Sequence, residues 1–262
     1  MQKFSTDFEI ANKQSDKTLH HGYQRFYPYF LEPLREIDQL KMLELGYDSG
    51  FSIEIWRNYF KNPAIDSIDI IENPNDERLN KFYNVNQDKN EELDLFVQSN
   101  TEKYHFIIDD ASHIPTHQWN TFIRFINLLE DGGVYIIEDT ETNFWGRSWQ
   151  YGYAFNSKTF SIYDKINLIN KFINSEYIED NLQEKHHLSD LEYTALQQIE
   201  MVTLGQNCVI VTKKSKKHQE YYRTFQDYKH KKMVHVEDYS QRNFIQKIAD
   251  AVVPIFKSKK LS

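Results

Sequence analysis

Two pairs of acidic residues each follow an apolar run and have the chemistry to bind a divalent cation. Asp109–Asp110 end the run "YHFIIDD", and Glu138–Asp139 end "GGVYIIED". Crowded carboxylates repel one another unless a cation or protonation relieves the repulsion. An oxygen-only ligand set without cysteine suits Mg²⁺. The alternative is that one member of each pair caps a helix or faces solvent.

A histidine lies close to the first acidic pair. His113 follows Asp110 by one helical turn, so its side chain can face the same cavity. A neutral imidazole is a suitable general base near neutral pH. Most histidines in loops are structural, so the catalytic interpretation depends on the carboxylates beside it.

The elements that must position these residues are apolar runs of strand length separated by helix-length segments. Strands alternating with helices predict a parallel sheet with right-handed crossovers. The last two runs are expected to be neighbouring strands, whose carboxylates then meet at the carboxyl edge, where ligands of open α/β sheets bind. The runs are 41–46, 64–71, 104–110 and 132–139.

The intervening segments carry helical periodicity. "FSIEIWRNYF" predicts one helix, and a second is expected near 90–99 after a weaker strand candidate at 81–88. Phe122, Phe125, Ile126 and Leu129 recur at helical spacing, and "EDGG" is expected to stop that helix. 

The C-terminal part of the series changes pattern. "QIEMVTL", the turn "GQN" and "CVIVTKK" predict an antiparallel hairpin. A mostly parallel sheet finished by one such hairpin, with helices on both faces, is the outline of the Rossmann-like α/β fold of class I methyltransferases. The predicted organisation is an N-terminal helical segment (1–40), a methyltransferase domain (41–212), and a basic linker with a C-terminal amphipathic helix (213–262).

The last helix carries an apolar stripe that includes Phe244, Ile248 and Val252. The favoured interpretation is docking on the domain or on a second subunit. An interfacial membrane helix is the alternative.

The glycine turn after the first strand predicts a nucleotide-type ligand. "LELGYDSGFS" places Glu44, Gly46 and Gly50 before a helix, and glycines allow a ligand to approach the backbone closely. Asp69 ends the second strand, where an acidic residue can accept hydrogen bonds from ribose hydroxyls. Because no Gly-x-Gly-x-x-Gly is present, S-adenosylmethionine is favoured over a dinucleotide. A plain strand-to-helix turn is the alternative.

Composition narrows the class of protein. The formal net charge of −8 argues against general nucleic-acid binding. The single cysteine, Cys208, excludes an internal disulfide and suits a reducing cytoplasm. No N-terminal apolar segment of a signal peptide and no run of about 18 apolar residues occurs, so neither export nor membrane spanning is expected.

Five motifs in this order resemble the metal-dependent sugar O-methyltransferases typified by the mycinamicin macrolide methyltransferases. The resemblance covers roughly 14–212. The motifs are "SDKTLHHGYQRFYPYF", "LELGYDSGFSIEIW", "IDSIDI", "IIDDASH" and "GGVYIIEDTETNFW".

The resemblance implies roles for residues at matching positions. Asp110, Glu138 and Asp139 are expected to hold Mg²⁺, and His113 to remove the proton of the acceptor hydroxyl. The expected cofactor contacts are Glu44, Gly46, Tyr47, Ser49, Asp69, Gln87 and Asp109. The expected substrate contacts are Lys17, His21, Tyr23 and Trp145. The first three resemble the family's N-terminal segment, which borders the active site; the alternative is the start of a surface helix. 

The chain departs from the family at two motifs. It has Ala111 where relatives commonly have glycine, which leaves ligand and base intact. It reads Val85-Asn86-Gln87-Asp88 where they often read Gly-Asp-Gln, and Gln87 is the residue expected to contact the adenosine side of the cofactor.

The expected function is Mg-assisted methyl transfer to a hydroxyl of a sugar, a glycan precursor or a related phosphorylated or nucleotide-linked metabolite. The expected partner is a small sugar-like acceptor, and assembly into a homo-oligomer is compatible with the sequence. Aromatic residues after the fifth strand, at 144, 145, 149 and 151, suit either an acceptor lid or core packing. The rival functions are a non-catalytic scaffold and a metal-dependent hydroxylase, the latter weakened by the lack of a clear facial triad.

Overall fold

The computed structural model describes residues 15–145, 151, 153–154, 157–158, 160–174 and 181–216. The predicted helix near 244–252, Trp149, and nearly all of the predicted linker lie outside these ranges. Within them, no helix is both long and apolar enough to cross a membrane.

The centre of the fold is a seven-stranded sheet in the order β3-β2-β1-β4-β5-β9-β8. Strands β1 to β5 are parallel, and β9 pairs antiparallel with both β5 and β8. The strands are β1 Lys41–Leu45, β2 Ala64–Asp69, β3 Lys81–Asn84, β4 Tyr104–Asp109, β5 Leu129–Glu138, β8 Ile199–Gly205 and β9 Cys208–Lys213; a separate small hairpin joins β6 Tyr153–Ala154 and β7 Ser157–Lys158.

Helices connect the strands and extend the N-terminal side. Short 3₁₀ helices occupy Tyr23–Arg25, Glu32–Leu34, Ile126–Leu128 and Thr140–Phe144. The α-helices are α1 Asp16–Leu19, α2 Tyr27–Leu31, α3 Phe51–Tyr59, α4 Asn90–Ser99, α5 Pro115–Phe125, α6 Ile162–Ile173, α7 Leu182–Lys185 and α8 Asp190–Leu196.

Alternation along the strands divides the core into two layers, one on each face of the sheet. In β5, Tyr135 and Ile137 join the cluster formed with α4, α5, α6 and α8. Val134 and Ile136 point the other way, to the cluster formed with α2 and α3. Successive side chains of a strand face opposite sides, so a strand buried on both faces is apolar throughout. The predicted fold, with helices on both faces, is confirmed.

One predicted boundary was wrong. "EDGG" does not stop α5, because the helix ends at Phe125 and β5 already begins at Leu129. The buried Leu129 side chain joins the core, and Gly132 (φ +78°) lies where the pairing with β4 shifts register. The glycines therefore allow an irregular backbone conformation inside the strand.

Candidate active site

A cavity of about 620 Å³ opens at the carboxyl ends of β1, β2 and β4. The strand order reverses between β1 and β4, which is where open α/β sheets bind ligands. Five residues predicted to contact the cofactor line this cavity: Gly46, Tyr47, Ser49, Asp69 and Gln87.

Gly46 is required by a close backbone approach. Its φ is +90°, and a Cβ built there would lie 2.1 Å from the backbone oxygen of Asp110. The glycine turn is therefore in direct contact with the loop that follows β4, and any side chain at position 46 would push the two apart.

Asp69 shapes this turn through both carboxylate oxygens. Oδ2 accepts from the Tyr47 backbone N–H at 2.7 Å, and Oδ1 accepts from the Ile70 N–H at 2.6 Å. The predicted ribose contact stays a prediction. It has to share a carboxylate that already accepts backbone hydrogen bonds.

An ion pair missed by the sequence reading anchors Tyr47. The Tyr47 hydroxyl donates to Asp76 Oδ2 at 2.8 Å, and Arg78 Nη2 lies 2.7 Å from the same oxygen. Hydrogen bonds from Arg78 lower the pKa of Asp76 to about 2. No local pattern connects position 47 with 76, because the contact forms between two loops.

Two predicted cofactor residues are buried beside the cavity and do not line it. Glu44 accepts from Trp56 Nε1 at 3.1 Å, and burial raises its pKa to about 7. Asp109 is fully buried, and burial raises its pKa to about 7 as well. Their contact with a cofactor stays a prediction that this placement does not favour.

Gln87 connects the cavity wall to the loop after β4. Its Nε2 donates to both oxygens of Asp109, at 2.8 and 2.7 Å, and its Oε1 accepts from the Ser112 N–H at 3.2 Å. The predicted adenosine-side residue thus uses its amide to hold the loop that carries Asp110 and His113.

His117, which the sequence reading did not single out, ties the same loop to the loop that follows β3. Ser112 Oγ lies 3.1 Å from His117 Nδ1, and His117 Nε2 lies 2.8 Å from Asp88 Oδ1. Burial lowers the pKa of His117. In the sequence, the only signal for this role of His117 was a polar residue in the first turn of α5.

Lys17 lies between the carboxylates predicted to bind the metal. Its side chain is 1% exposed, and Nζ pairs with Asp110 Oδ2 and, at 2.6 Å, with Glu138 Oε2. Burial alone would lower the pKa of Lys17, but the carboxylates of Asp110, Glu138 and Glu44 raise it well above its ordinary value. Lys17, predicted to contact the substrate, is therefore a buried counter-charge in this structure. It neutralises carboxylates of the acidic edge, which is formed by Asp110, Glu138 and Asp139 at the carboxyl ends of β4 and β5.

Glu138 is the most enclosed of the predicted ligands. Oε1 accepts from the Tyr27 hydroxyl at 2.5 Å, and Oε2 pairs with Lys17. Burial raises the pKa of Glu138 well above its ordinary value, although Lys17 opposes that effect. 

His113, Asp110 and Asp139 form a group with the spacing to hold a metal ion. One candidate ligand atom from each lies within 4.8 Å of the others. His113 Nε2 is 3.6 Å from Asp139 Oδ2, and Nδ1 is 3.9 Å from Asp110 Oδ1 and buried without a hydrogen-bond partner. The carboxylates of Asp110 and Asp139 fit a hard divalent cation such as Mg²⁺, whose preferred ligands are oxygen atoms. Glu138 is not in this group, so its role as a ligand stays a prediction.

The backbone at both loops is left-handed. His113 has φ +54° and Asp139 has φ +53°. The Thr142 hydroxyl donates to the His113 carbonyl oxygen at 2.8 Å, which joins the loop after β4 to the loop after β5. Positive φ is uncommon outside glycine and often occurs at functional sites.

The N-terminal segment covers the acidic edge with stacked rings. The rings of His21 and Tyr23 stack with centroids 5.2 Å apart, and those of Tyr23 and Tyr27 stack at 4.8 Å. The Tyr23 hydroxyl donates to Asp139 Oδ1 at 3.0 Å, and His21 Nε2 lies 3.5 Å from that oxygen. The predicted substrate residues His21 and Tyr23 therefore contact a predicted metal ligand.

Trp145 follows the 3₁₀ helix after β5 and is 46% exposed, while its neighbour Phe144 is 69% exposed. The Trp145 ring meets the Tyr151 ring edge-to-face at 5.2 Å. These aromatic surfaces are available to a ligand, and acceptor binding by Trp145 stays a prediction.

The fold is that of a class I methyltransferase. The structure matches MycE methyltransferase from the mycinamycin biosynthetic pathway, solved in complex with Mg and SAH, with a TM-score of 0.66 over 81% of this chain and 54% of that chain. The complex of MycE that also contains Mycinamycin VI matches with a TM-score of 0.64. Sequence identities of 18 and 19% mean that these matches show the fold alone.

Curated relatives confirm the resemblance to sugar O-methyltransferases, whereas no protein-family model matches the chain. The chain is 30% identical over 133 residues to L-olivosyl-oleandolide 3-O-methyltransferase of Streptomyces antibioticus, an alignment of 48% of this chain and 34% of that protein. It is 28% identical over 131 residues to mycinamicin VI 2''-O-methyltransferase of Micromonospora griseorubida, covering 46% and 32%. The chain thus spans about a third of the length of these relatives.

Proposed function

We propose that this protein is an S-adenosylmethionine-dependent, Mg²⁺-assisted O-methyltransferase that acts on a hydroxyl of a sugar or sugar-bearing metabolite. The observation that carries the proposal is the Asp110–His113–Asp139 group at the carboxyl edge of a class I sheet, of which Asp110 and His113 line a cavity of about 620 Å³. The curated relatives are sugar O-methyltransferases by name, which supports the same reaction class.

S-adenosylmethionine would supply an electrophilic methyl group, and a divalent cation held by Asp110 and Asp139 would stabilise an ionised acceptor hydroxyl. The protein's own part is to place a base. His113 Nε2 faces Asp139 Oδ2 at 3.6 Å, whereas Nδ1 has no hydrogen-bond partner. We assign removal of the acceptor proton to the imidazole of His113, which lines the cavity.

The acceptor class follows from the site's surroundings. Exposed Phe144 and Trp145 directly follow the loop that carries Asp139, and aromatic faces suit the apolar face of a sugar ring. We propose a neutral glycoside as the acceptor. A phosphorylated or nucleotide-linked acceptor would bring additional negative charge to the acidic edge.

The test begins with calorimetric titration of S-adenosylhomocysteine, with and without Mg²⁺, and continues with mass-spectrometric detection of methyl transfer to a panel of glycosides and nucleotide-linked sugars. We expect binding in the micromolar range, about −8 kcal/mol. Substitution His113→Asn should lower turnover by at least about 100-fold, because a general base typically contributes that much, while S-adenosylhomocysteine affinity is unchanged.

His187→Asn is the matched control. Both histidines have positive φ (+54° and +50°), and asparagine tolerates that backbone conformation, so backbone effects are equal in the two variants. Equal losses of turnover in both variants would contradict the role of His113. Absence of S-adenosylhomocysteine binding would instead favour a non-catalytic scaffold.

Location in the cytoplasm and assembly into a homo-oligomer remain predictions of the sequence. Size-exclusion chromatography with light scattering measures the second directly.

A further inference from the structure

Asn207 lies at the tip of the β8–β9 hairpin, in the turn that the sequence marks as "GQN". Cys208 pairs with Glu138 across the β5–β9 ladder, so the preceding residue, Asn207, is brought opposite Asp139. Asn207 has φ +62°, a conformation that asparagine adopts more readily than most residues. The hairpin thus places an amide side chain at the acidic edge.

The contacts of Asn207 fix the orientation of its amide. Oδ1 accepts from the Glu141 backbone N–H at 2.8 Å, so Nδ2 must be the atom that faces Asp139. Nδ2 donates to Asp139 Oδ1 at 2.9 Å and lies 3.0 Å from His21 Nδ1. Both amide protons and the amide oxygen are therefore engaged. The Asn207 carbonyl also accepts from the Thr140 N–H at 3.2 Å.

These bonds leave the two oxygens of Asp139 in different surroundings. Oδ1 accepts from Asn207 Nδ2 and from the Tyr23 hydroxyl, at 2.9 and 3.0 Å. Oδ2 lies 3.6 Å from His113 Nε2 and is turned to the group that includes Asp110. A carboxylate with one oxygen held by neutral donors presents its other oxygen in a defined direction.

We propose that Asn207 is a positioning residue for metal binding: it holds Asp139 Oδ1 so that Oδ2 faces the cation and the base. The inference rests on the proposed function, because it assumes that Asp139 binds a divalent cation. The same side chain tethers the 3₁₀ helix after β5 through the Glu141 N–H. The antiparallel hairpin thereby contributes to the site although it carries no ligand.

The experiment compares Mn²⁺ binding, followed by electron paramagnetic resonance, with thermal unfolding measured without metal. Asn207→Gly suits the positive φ and removes the amide. We expect it to weaken Mn²⁺ binding about tenfold, the usual value of a charge-assisted hydrogen bond. S-adenosylhomocysteine affinity without metal should be unchanged. Asn207→Ser, whose hydroxyl is one bond shorter than the amide, is a second variant with the same expectation in case the glycine variant fails to fold.

Gln206→Ala is the control from the same turn. Its side chain bonds Arg25 Nη2 at 3.0 Å, away from Asp139, so Mn²⁺ affinity should match that of the unsubstituted protein. Unchanged Mn²⁺ affinity in a folded Asn207 variant overturns the inference and leaves the proposed function intact. A loss of Mn²⁺ affinity that is accompanied by a similar loss of S-adenosylhomocysteine affinity and by a lower temperature of unfolding would show a purely structural role. That outcome would also overturn the inference. A lack of Mn²⁺ binding by the unsubstituted protein overturns both proposals.

Discussion

At the scale of single residues, the negative charge of the acidic edge is partly neutralised by one lysine. Lys17, from the N-terminal segment, is buried among Asp110, Glu138 and Glu44. A buried ion pair is weak evidence for stability in itself, but removal of one partner leaves an uncompensated charge out of water. Lys17 is therefore expected to matter for folding as well as for the site.

Lys17→Met should destabilise the protein by about 3 kcal/mol, because Asp110 and Glu138 lose their buried counter-charge. The free energy of unfolding in urea measures this. Lys89→Met is the control: Lys89 pairs with Glu92 at 3.2 Å but is 59% exposed, so its removal should change stability by less than about 0.5 kcal/mol. Equal stabilities of the Lys17 and Lys89 variants would contradict the buried charge network.

Glu44 predicts a dependence of stability on pH. Burial raises its folded pKa from 4.5 to about 7, so between these values the folded protein binds more protons than the unfolded chain. The stability associated with the neutral form is fully present below about pH 4.5 and is lost as the pH rises through 7. Glu44→Gln stays neutral, so it should gain up to about 3 kcal/mol relative to the unsubstituted protein between pH 5 and 8.

Urea unfolding at the two pH values tests this dependence. Glu91→Gln, on the exposed side of α4, is the control: the pH dependence of its free energy of unfolding should match that of the unsubstituted protein. If Glu44→Gln also has the same pH dependence as the unsubstituted protein, Glu44 ionises normally in the fold.

At the scale of elements, the site depends on how closely two loops approach. The glycine turn after β1 contacts the loop after β4, and Gln87 and His117 hold that second loop from the side of β3. The hairpin β8–β9 and the N-terminal rings hold the loop after β5. The loops that carry Asp110 and Asp139 are thus positioned by elements distant from them in sequence.

Gly46→Ala should cost considerably more stability than Gly132→Ala. Both glycines have positive φ, +90° and +78°, so both variants lose about 1 kcal/mol from backbone strain. Only at Gly46 would the added Cβ meet backbone, 2.1 Å from Asp110 O, whereas at Gly132 it meets Ser215 Cβ at 3.5 Å. Urea unfolding compares the two variants, and similar losses would mean that the loops separate without cost.

At the scale of the whole molecule, one buried thiol reports on the integrity of the fold. Cys208 is the only cysteine in the chain, is fully buried, and joins the core cluster on the α2–α3 face. Burial raises the pKa of the Cys208 thiol, so the reactive thiolate is further disfavoured. The thiol should react only after the sheet opens.

Labelling of Cys208 by a disulfide reagent should therefore follow global unfolding. We expect negligible labelling of the native protein over minutes and complete labelling in urea. S-adenosylhomocysteine at 100 times its dissociation constant should slow labelling about 100-fold, because a ligand that binds only the native state stabilises it by about 2.7 kcal/mol. Rapid labelling of the native protein, or labelling insensitive to a ligand that calorimetry shows to bind, would contradict this picture.

The sequence by itself determined the sheet, its antiparallel hairpin and the placement of Asp110, His113 and Asp139 near one edge. This was possible because apolar periodicity and glycine turns are local signals, and because carboxyl ends of parallel strands meet at one side. It misplaced the start of β5 at "EDGG", since an irregularity inside a strand carries the same residues as a helix stop. Only the tertiary structure placed Lys17, Gln87 and Asn207 against the acidic residues. Those contacts join positions 22 to 121 residues apart, and their geometry depends on how separate elements pack.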